Sequence, residues 1–406
     1  MDKPEIPAED KRNRRAVLGA GGFAHFIHDG FTDTLYVLLP LWAEAFGLSH
    51  AQVGALKMAA SGTLAAFQVP AGLLAEKIGE RRVLVVGTML AGGGFLLLGL
   101  AGGFVGLMLC LVVMGLGCST QHPLASSVIS RAYDSGGRRA ALGTYNFSGD
   151  LGKVAVPVSV AAVSAAYGWK TGAMGYGAVG LIAAVIIYIL LARLNVGSVD
   201  VRSSDHRGDE VQASGWGIAD HRGFASLSAI GMVDSSARLA FLTFVPFLLI
   251  EKGAAVEGIG FALALIFAGG AAGKLICGHI AERVGILRTV VLTEIATGGG
   301  ILLLVSLPLE GAMILLPVLG VALNGTSSVL YGTMGDFVDP HRQARAFGLF
   351  YTLGVGSGAV APLIYGLVSD RWGVDMTLNV LACSVFLVLP LCYVLKPRLR
   401  TIKSIT

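Results

Sequence analysis

The chain has 406 residues, of which 54% are apolar and only 14% are charged, and its formal net charge at pH 7 is +4. Soluble domains average roughly 25% charged residues, so this chain has more apolar surface than one aqueous core buries. The composition excludes an ordinary soluble enzyme, and the small net charge does not indicate a nucleic-acid-binding surface.

The apolar residues form twelve predicted spans of about 20 residues or more, the length that crosses a bilayer. The first span follows a basic segment, Lys11 to Arg15, and is longer than the apolar part of a signal peptide, so we interpret it as uncleaved. In chain order the spans cover residues 16–45, 52–76, 82–101, 104–130, 139–166, 171–193, 223–250, 257–281, 287–307, 311–335, 344–368 and 374–395. The predicted fold class is an all-α membrane protein with twelve transmembrane helices.

Lysine and arginine are distributed unevenly between the loops. With both termini in the cytoplasm, 23 of the 30 basic residues lie in cytoplasmic segments and 3 lie in the outer loops. This asymmetry predicts a multi-pass inner-membrane protein with both termini cytoplasmic. The other four basic residues lie inside predicted spans: Lys57, Lys153, Arg238 and Lys274.

An internal repeat with an offset of 206 residues divides the chain into two halves. Repeated pairs include Gly72 to Gly79 with Gly278 to Gly285, Arg139 with Arg345, Tyr145 with Tyr351, and Pro40 with Pro246. Parallel halves of this kind are typical of secondary transporters. We predict an N-terminal six-helix bundle at residues 1–193, a cytoplasmic linker at 194–222 and a C-terminal six-helix bundle at 223–406.

The duplicated segment Gly72-x-x-x-Glu76-Lys77-x-Gly79 resembles the loop motif of the major facilitator superfamily, and the resemblance extends over essentially the whole chain. The resemblance implies the fold of that family and a cytoplasmic charge latch between the two halves. The residues that it implies for this latch are Gly72, Glu76, Arg81, Arg131, Glu282 and Arg283.

A narrower resemblance is to the fosmidomycin-resistance branch, whose members are efflux proteins. It rests on His25-x-x-x-Asp29 and Pro40 in the first span, Gly115-x-Gly117 and His122-Pro123 in the fourth, and Arg139-x-x-x-Gly143 with Gly149 and Gly152 in the fifth. This chain departs from the branch at Leu124, Asp150 and Lys153. The resemblance implies export of a small molecule.

Ionisable side chains inside the first span are the candidates for proton coupling. Each such residue costs at least ~2.5–3.5 kcal/mol at the centre of a membrane helix. His25, Asp29, Asp33 and Tyr36 recur on one helix face. We predict Asp29 as the proton carrier, assisted by His25 and Asp33. Two alternatives are that Asp29 is a static ion-pair partner of a buried cation, and that His25, Asp29 and Asp33 bind a divalent metal.

Further polar residues in the spans are candidates for binding substrate. Asp150 and Lys153 are three residues apart, and Asp234 and Arg238 are four apart, so each pair either neutralises itself or releases one charge during transport. Lys57 and Lys274 favour an anionic substrate, although Lys57 could instead extend to the outer surface. The predicted substrate-binding residues are Tyr36, Lys57, Gln121, His122, Asn146, Asp150, Lys153, Asp234, Arg238 and Lys274.

These observations favour a monomeric, proton-coupled antiporter that exports a small anionic or amphiphilic organic compound. Its expected partners are the substrate, protons and membrane lipids, and neither a cofactor nor a nucleic acid is expected. The sequence contains no nucleophile elbow, P-loop or metalloprotease motif, so no enzyme activity is predicted. The alternatives are a proton-coupled symporter that imports an organic anion and, less favoured, a divalent-metal transporter.

Overall fold

The structure is a computed structural model that describes residues 8–133, 137–198, 218–338 and 343–403. Most of the predicted linker, residues 199–217, and the side chains of Arg139 and Arg345 lie outside the described residues. The described helices are α1 (Ala8–Phe46), α2 (His50–Ile78), α3 (Glu80–Leu98), α4 (Phe104–Cys118), α5 (Gln121–Ala132), α6 (Arg138–Tyr167), α7 (Trp169–Arg193), α8 (His221–Glu251), α9 (Val256–Val284), α10 (Ile286–Ser306), α11 (Leu309–Met334), α12 (Gln343–Val385) and α13 (Val388–Lys403).

The helices follow the predicted spans, with one break inside the fourth span and one inside the twelfth, where α12 ends at Val385 and α13 begins at Val388. The fourth span is divided into α4 and α5 at Ser119 and Thr120, and Pro123 lies in the first turn of α5, where its missing amide hydrogen removes no helical hydrogen bond. Helix α12 is interrupted at Gly373, whose φ of +81° separates the eleventh span from the twelfth.

Ten described segments are long and apolar enough to span a membrane. The last of these, Leu349–Leu399, covers both the eleventh and the twelfth predicted spans. Helix α1 is outside the set because His25, Asp29 and Asp33 interrupt its apolar sequence. The all-helical membrane architecture predicted from the sequence is therefore confirmed.

The repeated loop motif ends at the same kind of turn in both halves. Gly79 lies between α2 and α3 with a φ of +93°, and Gly285 lies between α9 and α10 with a φ of +99°. Glycine adopts this backbone conformation without a steric penalty, whereas other residues are strained in it. The repeat seen in the sequence therefore specifies one backbone turn twice.

The chain consists of two compact units. Unit 1 contains Met1–Leu35 and Ala59–Gly208, and unit 2 contains Tyr36–Met58 and Asp209–Thr406. The units differ from the sequence halves because the stretch from Tyr36 to Met58 packs with the second half of the chain. Each unit is described separately below.

Unit 1 is built around the contact of α3 with α7. A Cβ atom at Gly177 would lie 2.5 Å from the backbone nitrogen of Leu96, so only glycine allows these two helices to approach so closely. Beside this contact, the ring of Phe31 lies 4.8 Å from that of Phe95 and 4.6 Å from that of Tyr176. This aromatic cluster holds α1 against α3 and α7, which fixes the position of the polar residues of α1 that precede Phe31.

Unit 2 contains the pairs α8 with α12 and α9 with α11. Its apolar core includes Leu227 and Ile230 of α8, Val290 of α10 and Cys392 of α13, all at most 4% exposed. The start of α2 also belongs to this unit, because the carboxylate of Asp370 accepts hydrogen bonds from the backbone amides at residues 50 and 51, at 2.6 and 3.0 Å. Asp370 therefore caps the N-terminus of a helix from the first half of the sequence.

Candidate functional site

Asp29 is the centre of a buried polar cluster in unit 1. Its side chain is 6% exposed. His25 Nε2 lies 3.2 Å and Lys153 Nζ lies 3.3 Å from Asp29 Oδ2, and His122 Nε2 lies 3.8 Å from Asp29 Oδ1. Helices α1, α5 and α6 thus surround one carboxylate with three basic groups, of which Lys153 and His122 are distant from it in the sequence.

The hydrogen bonds of His25 determine where its protons lie. His25 Nδ1 lies 2.8 Å from the backbone carbonyl oxygen of Tyr145. A carbonyl oxygen only accepts, so Nδ1 is the donor, and the other ring nitrogen, Nε2, faces Asp29. An ionised carboxylate also only accepts, so the 3.2 Å contact requires one further proton between Nε2 and Asp29. The pair is therefore an imidazolium with a carboxylate, or an imidazole with a carboxylic acid.

Helix α6 approaches this pair closely because glycine is its nearest residue. A Cβ atom at Gly149 would lie 2.5 Å from His25 Nε2 and 2.7 Å from Asp29 Oδ2. The ring of Tyr145 stacks on that of His25 at 4.2 Å, and its hydroxyl accepts a hydrogen bond of 2.8 Å from Gln121 Nε2. Gln121 therefore supports the ring that contacts His25, and its side chain is fully buried.

Lys153 is shared between two carboxylates. Its ammonium lies 3.6 Å from Asp150 Oδ1, which is the pair predicted from their spacing, as well as 3.3 Å from Asp29 Oδ2. The side chains of Lys153 and His122 are 28% and 38% exposed, in contrast to 6% for Asp29. The cluster therefore presents its cationic and imidazole groups to an accessible surface and keeps the carboxylate inside.

The residues that could hold a metal ion differ from the predicted set. Among the described residues, His25, Asp29 and His122 have ligand atoms within 4.8 Å of one another. Asp33 lies outside this group, and its Oδ2 lies 3.5 Å from the hydroxyl of Thr32. His122 takes the place of Asp33 because it enters from α5, which helical spacing within α1 does not reveal. The ammonium of Lys153 already contacts the carboxylate that a metal would need.

Other predicted substrate residues have surroundings of their own. Lys57 is 3% exposed and its Nζ lies 4.1 Å from the centre of the Tyr36 ring, in unit 2. This cation–π contact takes the place of the extended conformation considered for Lys57. Asn146 is exposed and Lys274 is half-buried.

Asp234 and Arg238 form the predicted pair within α8. Arg238 Nη2 lies 3.7 Å from Asp234 Oδ2, and Arg238 Nη1 donates a hydrogen bond of 3.3 Å to Ser327. The pair lines a cavity of about 130 Å³ together with Tyr331, Phe350 and other residues.

The sequence analysis missed Glu294, a buried acid of α10. The residue is 1% exposed. The signal that could have revealed it is the same as for Asp29, a single acid within a long apolar span. Glu294 also lies 206 residues after Thr88, so the repeat places a carboxylate where the first half has a hydroxyl.

The residues of the implied latch are only partly brought together. Arg131 forms a two-pronged ion pair with Glu80, whereas Glu76 is exposed. The guanidinium of Arg81 lies 5.8 Å from the ring of Tyr188. In the repeated loop Glu282 and Arg283 are exposed, and the space beside Gly72 is open. The contact of Arg131 with Glu80 joins α5 to α3 within unit 1, so the acid that binds Arg131 is the first residue of α3, four residues after the acid of α2 that the motif implies.

An all-helical chain with membrane-spanning segments and a buried charged cluster is a multi-pass membrane protein. The sequence profile of the Major Facilitator Superfamily matches residues 21–254 and 227–404. The chain therefore belongs to the Major Facilitator Superfamily and is a transporter of small molecules rather than a member of an enzyme family.

Among characterised relatives, the chain is 23% identical over 379 residues to the fosmidomycin resistance protein of Escherichia coli, covering 91% of this chain and 90% of that protein. It is 25% identical over 384 residues to a probable sulfoacetate transporter of Cupriavidus necator, covering 89% of each. These similarities confirm the resemblance to the fosmidomycin-resistance branch and add relatives named for organic acids.

Solved structures share the fold. A bacterial homologue of the human lysosomal transporter Spinster, in an inward-facing and occupied conformation, has a TM-score of 0.80 at 16% identity, with 95% of this chain and 97% of that chain covered. The nucleoside transporter NupG has a TM-score of 0.75 at 12% identity, with 94% and 99% covered. At these identities the likeness concerns the fold alone.

Proposed function

We propose that this chain is a proton-coupled transporter of a small organic anion and that the proton and the anion bind to the cluster around Asp29. The observation that carries the proposal is the pair of contacts made by His25. Because its Nδ1 donates to the Tyr145 carbonyl, one proton must lie between its Nε2 and Asp29. The His25–Asp29 pair is therefore a place where a single proton is held inside the membrane.

Lys153 links this proton to the charge of the substrate. While Asp29 is ionised, its carboxylate holds the ammonium at 3.3 Å. Transfer of a proton to Asp29 removes the negative charge and weakens this hold, so an anion from outside the cluster then competes for Lys153 more easily. The partly exposed side chains of Lys153 and His122 are the groups that such an anion reaches first.

Proton and anion therefore promote each other's binding. By thermodynamic linkage, a proton that raises the affinity for the anion is itself held more tightly when the anion is bound. Two ligands that bind together to one site move together, so this geometry favours co-transport in one direction, which is uptake under an inward proton gradient. The 25% identity to a probable sulfoacetate transporter supports an organic anion as the substrate.

Export by exchange is the second candidate. The similarity to the fosmidomycin resistance protein favours it. Exchange requires that the substrate and the proton exclude each other, which occurs if a donor group of the substrate replaces the proton on Asp29. Export is the direction that the sequence analysis favours. Exchange needs an amphiphilic substrate rather than a simple anion.

The sign of a pH change in the vesicle lumen distinguishes the two candidates. Purified protein is reconstituted into liposomes that contain a fluorescent pH indicator, and sulfoacetate or fosmidomycin is added outside. Co-transport acidifies the lumen because protons enter with the compound, whereas exchange makes it alkaline because protons leave. The sign does not depend on the orientation of the protein in the membrane.

The Asp29→Asn variant tests the assigned proton carrier. It should lose the pH change while radiolabelled substrate still exchanges across the membrane. Substrate flux with unchanged proton movement in Asp29→Asn would disprove the role of Asp29. If every transported compound made the lumen alkaline, co-transport would be wrong and exchange would be the mechanism.

A further inference from the structure

Glu294 is a buried acid whose hydrogen-bonding capacity is not met. The residue is 1% exposed, and its Oε1 has no hydrogen-bond partner among the described residues. One turn later in α10, the hydroxyl of Thr297 is likewise buried and without a partner in the same part of the chain. A carboxylate in such surroundings costs several kcal/mol unless a charge or a proton compensates it.

The groups that act on Glu294 come from three neighbouring helices. Asp234 and Arg238 of α8 and Thr326 of α11 are its electrostatic and hydrogen-bonding neighbours, and Cys392 of α13 lies near its carboxylate. The hydroxyl of Thr326 is 2.7 Å from that of Thr293. Tyr331 of α11 lines the same cavity as Asp234 and Arg238. Arg238 is thus the single fixed positive charge among these groups.

The balance of charges among these residues indicates what this cluster binds. Asp234 holds Arg238 at 3.7 Å, so one carboxylate and one guanidinium balance each other. Glu294 would add a second negative charge, and Arg238 is the one cation that acts on it within the described part of the chain. Two carboxylates that share one cation retain a proton. We propose that Glu294 and Asp234 form a second proton-binding site, in unit 2, in which one proton is held by the pair and Arg238 determines how many protons bind.

The internal repeat supports this pairing independently. Asp234 and Glu294 lie 206 residues after His28 and Thr88, and His28 Nε2 makes a hydrogen bond of 2.8 Å with the Thr88 hydroxyl. The same two helix positions are therefore in contact in unit 1. In the second half of the chain two acids occupy these positions, so the repeat argues that Asp234 and Glu294 approach each other in the same way.

Arg238 connects the second site to an accessible cavity. Its side chain is 20% exposed, and it lines the cavity of about 130 Å³. An anion that binds Arg238 from this cavity leaves both acids without a cation, so the pair takes up a second proton. The second site then gains protons as the anion binds, independently of Asp29.

Infrared difference spectroscopy tests the proposal directly. A protonated carboxylic acid has a C=O stretching band that an ionised carboxylate lacks. Spectra are recorded for the purified full-length protein in lipid, without substrate, in the Asp29→Asn background so that the first site adds no signal. The proton shared by the pair should give a band that is lost in Glu294→Gln. The matched control is Glu310→Gln, an exposed acid of α11, and this variant should keep the band.

A second variant makes the test independent of the first. Arg238→Gln removes the cation, so both acids should become protonated and the band should grow about twofold. A band that is unchanged in both Glu294→Gln and Arg238→Gln would overturn the proposal. Because these measurements use no substrate and a silenced Asp29, they succeed or fail separately from the proposed transport function.

Discussion

Lys153 Nζ lies 3.3 Å from Asp29 Oδ2 and 3.6 Å from Asp150 Oδ1, so one ammonium contacts two carboxylates that belong to different helices. The spacing of Asp150 and Lys153 suggests a pair that neutralises itself within α6. The contact with Asp29 extends the role of Lys153 beyond α6, because removing Lys153 then takes away one of the three basic groups around a buried acid on α1.

Replacing Lys153 with methionine should destabilise the protein, and adding Asp29→Asn should restore part of the loss. Breaking a buried ion pair on one side costs ~3–5 kcal/mol, because it leaves an uncompensated charge inside the protein. Lys153 is partly exposed, so a value below this range is expected. Melting temperatures of the two single variants and the double variant in detergent give the coupling. Additive losses would contradict the ion pair, and Asp150→Asn serves as the control that removes the less buried partner.

The pH dependence of transport should depend on His25. In the proposed mechanism Asp29 must be protonated before Lys153 binds an anion, so the initial rate of anion uptake should fall as the pH on both sides of the membrane rises. In His25→Gln the fall should move to a different pH, because glutamine keeps a donor for the Tyr145 carbonyl but cannot share a proton with Asp29. Rates are measured without a pH gradient across the membrane. His279→Gln, an exposed histidine of α9, should leave the profile unchanged, and an unaltered profile in His25→Gln would argue against the shared proton.

Asp370→Ala should destabilise the start of α2. Its carboxylate accepts hydrogen bonds from the backbone amides at residues 50 and 51, and loss of a helix N-cap costs ~1 kcal/mol. The melting temperature is the measurement. Asp375→Ala removes another exposed acid of α12 that makes no cap to α2, so it should have a smaller effect. Equal effects of the two variants would show that the cap does not contribute.

Arg131 should couple to Glu80 rather than to Glu76. Its guanidinium binds both carboxylate oxygens of Glu80. Double-mutant cycles with Arg131→Gln and either Glu80→Gln or Glu76→Gln separate the two acids. Because Arg131 is more than half exposed, a coupling below ~1 kcal/mol that decreases with added salt is expected for Glu80. A larger coupling energy of Arg131 with Glu76 than with Glu80 would support the acid that the family motif implies.

The residues of α1 illustrate how far the sequence leads at the site. Helical periodicity places His25 one turn before Asp29, and the structure has the two side chains in contact. Periodicity also places Asp33 on the same face, yet the third group around Asp29 is His122. The sequence can order residues around one helix, but the rotation and depth of a second helix against it depend on packing along the whole of both.

The sequence shows where the glycines lie along the chain, but it does not show which side chains and helices they allow to approach. At Gly149 a side chain would collide with His25 and Asp29, and at Gly152 it would collide with the backbone of Phe26. These two glycines were recognised as part of a motif, without an indication of what they approach. Only their contacts explain why Lys153, on the same helix, comes within reach of Asp29.

Sequence by itself determined the membrane architecture and the family, and it marked Asp29 as an acid within an apolar span, because hydrophobicity, motifs and the cost of a buried charge are properties of residues in order along the chain. Tertiary structure decided which charges meet. Lys153 joins Asp29, Glu80 joins Arg131, and Asp370 caps α2, because each of these contacts crosses between helices whose relative rotation and separation are set by side-chain packing.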